Sequence, residues 1–131
     1  MSFPLPEVTP LSKPYWDGLQ DGRLRFQRCS ACGHAWLPAR AECPECWKAE
    51  WQWTDASGRG RLVSWVIYHH AYHPEFKDRL PYNVALVELD EGPRLITNVV
   101  KLGNRALAIE LPVKLCIENE HGVALARFEL A

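Results

Sequence analysis

The chain has 131 residues, 47% of them apolar and 24% charged, with a formal net charge of −1. That balance excludes a disordered chain, and it argues against a free-standing binder of duplex nucleic acid, which would carry a basic excess. No apolar stretch approaches the ~18 residues of a membrane span, so one ordinary domain, or a small ribbon plus a small barrel, is expected.

Residues 1–11 carry Pro4, Pro6 and Pro10, which predicts an extended segment. No apolar run follows Met1-Ser2-Phe3-Pro4, so nothing there reads as a secretory signal and a reducing cytoplasm is the expected location. Ser12 then offers a helix N-cap, Pro14 falls just inside the helix, and Gly22 can end it. Gly18 keeps that helix short. Tyr15, Trp16 and Leu19 share one face, a packing stripe for the barrel or for a partner. Arg23 to Arg28 reads as a strand leading into the next feature.

That feature is Cys29-x-x-Cys32 followed by Cys43-x-x-Cys46. Each pair places two thiolates close enough to share one metal ion, and two pairs complete a tetrahedral four-sulfur set that suits Zn²⁺ and, less often, iron. Gly33 supplies the positive φ that a knuckle turn needs, and Pro44 presets the second turn. Between the pairs, Trp36 and Leu37 give a short arm its apolar side. A set with no open position for water is a structural staple rather than a catalytic centre. Disulfides are disfavoured by the expected compartment. Four of the six tryptophans (Trp36, Trp47, Trp51, Trp53) lie in or just after this ribbon. So small a unit cannot bury them all, so the adjoining domain or a partner chain must cover them.

After a hinge at Ser57-Gly58-Arg59-Gly60-Arg61 the pattern is all strand. Leu62–Tyr72 is rich in β-branched and aromatic residues. A polar loop, His73 to Leu80, leads to strands over Tyr82–Leu89 and Leu95–Lys101. Leu102–Leu111 connects, with a short helical turn, to Pro112–Glu118, where Val113, Leu115 and Ile117 face inward. A turn at Glu120-His121-Gly122 precedes the fifth strand, Val123–Leu130. Five strands with a longer link between the third and fourth predict an OB-type Greek-key barrel. The expected division is 1–25 for the extension and helix, 26–56 for the ribbon and 57–131 for the barrel. The fold class is mainly β.

These stretches, FQRCSACGHAWLPARAECPEC, SGRGRLVSW and LPYNVALVELDEGPRLITNV, resemble the DUF35 family of OB-fold, acyl-CoA-associated proteins in the family's own order. Two departures stand out: Ile109-Glu110-Leu111-Pro112 lacks the glycine common before the fourth strand, and the ribbon arm reads Leu37-Pro38-Ala39-Arg40 in place of Pro-Pro-Arg. The resemblance implies a non-catalytic accessory subunit of a hetero-oligomer. Its partner would be a thiolase-superfamily protein or a MaoC-like hydratase, with which it shares an acyl-CoA. Carbon–carbon bond cleavage or formation on CoA thioesters is the implied chemistry.

On that reading Arg59, Arg61, Lys77 and Arg79 flank the long first strand and its loop, where they can approach the phosphates of CoA. Solvated surface charge is the plain alternative. His69, His70 and His73 tempt a metal reading, but strand alternation turns His70 away from His69, so a surface for partner or substrate is preferred to a three-nitrogen site. His34 is a spare potential ligand beside the first knuckle, but with four cysteines available it reads as a solvent-facing or hydrogen-bonding residue. Tyr15, Trp16 and Trp36 are expected to face a partner. Cys116 lacks the base that a catalytic thiol needs. The alternative from a different class is a ribbon-plus-barrel binder of single-stranded nucleic acid that uses aromatic stacking.

Overall fold

In the computed structural model, which describes residues 6–70 and 74–131, Ser12 and Gly22 bracket helix α1 (Lys13–Gln20). Ser12 sits at the N-cap, but its hydroxyl turns back to accept from the Thr9 N–H at 2.9 Å rather than capping the first turn. At the other end Gly22 takes φ +80°, the Arg23 N–H bonds to the Gly18 carbonyl at 2.8 Å and the Gly22 N–H to Leu19. This left-handed exit satisfies two carbonyls that would otherwise be orphaned. Gly18 has a packing reason as well. A Cβ there would lie 3.0 Å from the Arg23 carbonyl and from the Arg25 side chain.

The ribbon is a three-stranded antiparallel sheet, β2-β1-β3, built from β1 (Arg25–Cys29), β2 (Ala35–Trp36) and β3 (Trp51–Asp55). Gln27 on β1 is fully buried, and its amide mimics a strand: it donates to the Arg40 carbonyl and accepts from the Arg40 N–H, both at 2.8 Å. The arm between the knuckles is thus pinned to β1 with no buried amide group wasted.

The second sheet has the order β6-β5-β4-β7-β8. Its strands are β4 (Arg59–Tyr68), β5 (Tyr82–Leu89), β6 (Arg94–Thr97), β7 (Pro112–Glu120) and β8 (Val123–Leu130). It curls until Val99 meets Phe128 in a parallel bridge, with the Val100 N–H on the Phe128 carbonyl at 2.8 Å. Leu24, Val87, Leu89, Val113 and Phe128 fill one end of this curl, where Leu19 of α1 plugs it. Leu62, Ala85 and Val99 fill the other, with Trp65 packed against them.

Three sequence expectations are corrected here. Arg59–Arg61 is no hinge: it begins β4 and pairs with Pro112–Lys114, because Gly60 lets β4 lie close against β5. The strand from Leu95 stops at Thr97, where the chain leaves β5 to bridge to β8. Asn83 fills the gap so created, donating to the Val99 carbonyl and accepting from its N–H, each at 2.8 Å. Finally, β4 ends at Tyr68, and a 3-10 turn (Pro74–Arg79) occupies most of the expected polar loop. A bulge between Leu62 and Ser64 shifts the register, so Leu62 and Trp65 both reach the core despite their odd spacing.

A Cβ at Gly60 would lie 2.3 Å from the Glu88 carbonyl oxygen. Backbone cannot yield as a side chain can, so Gly60→Ala is expected to cost about 1–3 kcal/mol. A lower urea midpoint at unchanged slope measures it; an unchanged midpoint refutes the close approach.

Candidate metal centre and barrel cleft

The two knuckles are built alike. In the first, the Cys29 N–H bonds to His34 and the Gly33 N–H to the Cys29 carbonyl, with Gly33 at φ +82°. In the second, the Cys43 N–H bonds to Lys48 and the Trp47 N–H to the Cys43 carbonyl, with Trp47 at φ +66°. A tryptophan therefore stands where its twin has glycine. The left-handed conformation is costly for a residue with a side chain.

These turns bring all four sulfurs within 4.8 Å of one another. Cys29 Sγ lies 3.5 Å from Cys46 Sγ and Cys32 Sγ 3.6 Å from Cys43 Sγ. A tetrahedral zinc site with Zn–S of about 2.3 Å has sulfur–sulfur edges of about 3.8 Å. The donor set therefore fits a single ion. Cys29 is pushed down to about 7, first by the Cys32 backbone N–H, which donates to its sulfur. The Cys46 thiol is displaced upward: the Lys48 backbone favours its thiolate, but burial and the neighbouring sulfurs outweigh it. Four thiolates this close repel one another unless a cation sits among them. Cys29 and Cys43 are buried, and Trp36 packs on them.

The other candidate residues scatter. Trp36 is only 4% exposed and lies inside the ribbon, so its partner-facing role is corrected: a ribbon with so few apolar residues needs it as core. His34 stacks on it, with ring centroids 6.1 Å apart. The ribbon's exposed aromatic is instead Trp47, at 66%. Tyr15 and Trp16, in edge contact at 5.0 Å, line a groove of about 510 Å³ with Leu37, Leu86 and Ile96. Burial pushes the Tyr15 hydroxyl up to about 12, against the pull of Arg127.

Two of the four cations proposed for phosphate are already committed. Arg61 donates to Glu88 at 3.0 Å and also to Glu110, while Arg94 donates to Glu88 at 2.8 Å. Arg79 pairs with Glu120 at 2.6 Å. Arg59 and Lys77 are exposed and have no ion pair among the described residues. His69 and His70 lie exposed just beyond β4, and His73 falls outside the described residues. Arg127, which sequence reasoning did not single out, is only 18% exposed and pairs with Glu120 at 3.1 Å and Glu118 at 3.8 Å. Nothing local in its strand marks it.

Beside this charged rim lies a cleft of about 620 Å³, between the 3-10 turn and the β7–β8 hairpin. Its floor includes Tyr82, Val84, Ile96, Val100 and Leu102.

Family models agree with this architecture. The rubredoxin-like zinc ribbon domain of ChsH2 matches residues 16–52, and the C-terminal OB-fold domain of ChsH2 matches residues 53–118. A solved chain described as "Ltp2-ChsH2(DUF35) aldolase" superposes with a TM-score of 0.83 at 34% identity, covering 96% of this chain and 98% of that one. The chain belongs to the DUF35 family. Among curated relatives, a probable enoyl-CoA hydratase alpha subunit of Thermomonospora curvata is 38% identical over 86% of this chain. This chain spans only 34% of that relative's length. The benzoylsuccinyl-CoA thiolase subunit BbsA of Thauera aromatica is 25% identical over 95% of this chain and 88% of its own length. No helix among the described residues is long and apolar enough to cross a membrane.

Two outcomes test the site's physics. Cys43→Ser should drop bound metal from about one ion per chain to near none, read by elemental analysis of the purified chain; full retention would remove Cys43 from the ligand set. Glu88 is held below the ordinary carboxylate range by Arg94 first and Arg61 second. Its folded-state pKa is lowered, so its contribution to stability is full above the unfolded value of about 4.3 and fades as pH falls through the lower folded value. Glu88→Gln should therefore be less stable than wild type at neutral pH, with the gap closing at an acidic pH below the folded value. Parallel urea midpoints at both pH values would refute the coupling.

Proposed function

We propose that this chain is a non-catalytic subunit that docks on a thiolase-superfamily or MaoC-like hydratase partner and helps form an acyl-CoA site. Carbon–carbon bond cleavage or formation on CoA thioesters is the chemistry it would serve. The observation that carries this reading is the end-to-end likeness to the DUF35 chain of an aldolase complex. The hydratase alpha subunit and the thiolase subunit among its relatives point to the same class of substrate. The four-cysteine set is read as a structural zinc site, with iron as the less suitable occupant of a closed thiolate cage.

Trp47 supplies the ribbon's contribution to docking. It is exposed, aromatic and held in a conformation its backbone disfavours, and large aromatics of this kind act as interface anchors. Tyr15 and Trp16 would line the neighbouring groove, and Arg59 and Lys77 remain the cations open to CoA phosphates or to the partner.

Tagged protein drawn from its native lysate is expected to bring down a thiolase- or hydratase-like chain at near-stoichiometric yield, identified by mass spectrometry. Recovery alone, or with nucleic acid that resists high-salt washing, overturns the reading. Trp47→Gly sharpens the test, because glycine suits φ +66° and lacks the aromatic ring. It should leave thermal stability equal or higher, yet weaken partner affinity by about 30-fold, the loss of one aromatic anchor.

A further inference from the structure

Among the described residues, the cleft between the 3-10 turn and the β7–β8 hairpin is flanked by four charged side chains, and their arrangement decides what it can hold. Arg79 and Arg127 both pair with Glu120, and Arg127 also reaches Glu118. Two cations thus face two carboxylates, and the rim is neutral among the described residues. A phosphate entering here would have to break a guanidinium–carboxylate pair and leave a carboxylate beside it, which is a repulsive arrangement.

The amides at the cleft are equally committed. Asn83 gives its side-chain donor and acceptor to the Val99 backbone, and Asn98 donates to the Asn83 carbonyl. What the cleft still offers is apolar. Val84 and Ile96, on the face of β5 and β6 that points away from Ala85 and Val87, line it together with Val100 and Leu102. An antiparallel sheet with one face on the core ordinarily puts polar residues there. Ile96 is 70% exposed.

We propose that this cleft binds the uncharged, apolar acyl portion of a thioester ligand, and that the phosphates of the carrier lie elsewhere. The choice of a thioester rests on the function proposed above; the preference for an apolar, uncharged group rests on the neutral rim and the hydrocarbon floor. About 620 Å³ is ample for such a group, since small-molecule pockets run from roughly 300 to 1,000 Å³. The cleft is open on one side, so the partner subunit would complete its enclosure.

The test uses the full chain alone and follows backbone amide shifts by NMR. Octanoyl-N-acetylcysteamine, an uncharged acyl thioester, is titrated to millimolar concentration, alongside free CoA and a short oligothymidylate. The thioester should shift Val84, Val99 and Val100, while CoA and the oligonucleotide leave them in place. Ile96→Glu, at a position exposed enough to accept the change without unfolding, should weaken the thioester shifts at least tenfold. The inference is overturned if the thioester shifts none of these amides. It is equally overturned if its shifts fall in the groove at Leu37 and Leu95, or if CoA or the oligonucleotide moves the cleft amides as strongly. Those results leave the lysate experiment untouched, so the cleft and the subunit role fail separately.

Discussion

The ribbon depends on its four sulfurs. Its own apolar core is little more than Cys29, Trp36 and Cys43, and a unit that small cannot offset the entropy of its ordering by burial alone. Convergence of the four thiols on one ion supplies the missing constraint, because metal binding and folding are then one event. The consequences run outward. The knuckles fix the end of β1, β1 fixes β3, and the Ala56 N–H bonds to the Leu24 carbonyl at 2.7 Å just before the chain enters the barrel.

Beyond the metal set, side-chain amides do part of the backbone's work. Gln27 serves Arg40, and Asn83 serves Val99, each giving one donor and one acceptor to a residue outside the named strands. Buried peptide groups must be satisfied somewhere. Where the ribbon arm departs from β1 and where the sheet turns from β5 toward β8, these two residues take the place of a neighbouring strand. Thr97 adds a third tie, its hydroxyl donating to the Ala126 carbonyl at 2.7 Å. The barrel closes without a full-length parallel ladder because these contacts bridge the seam.

Electrostatics then divides the surface. The near-neutral total charge is mirrored locally: Arg61, Arg79, Arg94 and Arg127 each have a carboxylate partner, leaving Arg59 and Lys77 as open cations among the candidates. Beyond the stability that Glu88 draws from its two arginines, exposed pairs of this kind add little. Their effect is on recognition, since a guanidinium already engaged in a fork with a carboxylate has fewer donors left for a phosphate. An apolar cleft framed by balanced charge and an exposed aromatic on the ribbon fit a chain that meets a partner and a largely uncharged ligand group.

By itself the sequence determined the features set by neighbours a few residues apart. The paired cysteines, the helix bracketed by Ser12 and Gly22, and the alternating runs of Tyr82–Leu89 and Val123–Leu130 are local patterns, and each folds as its spacing dictates. Family resemblance added the order of ribbon and barrel. Only the tertiary structure decided which arginines are free, because Arg61 meets its carboxylates 27 and 49 residues away. It alone put Trp36 in the ribbon core and left Trp47 exposed, since burial depends on what packs across from a residue rather than on its type. The bulge after Leu62, the swing of the chain at Thr97 and the cleft they help shape arise the same way, from contacts between strands that no run of adjacent residues encodes.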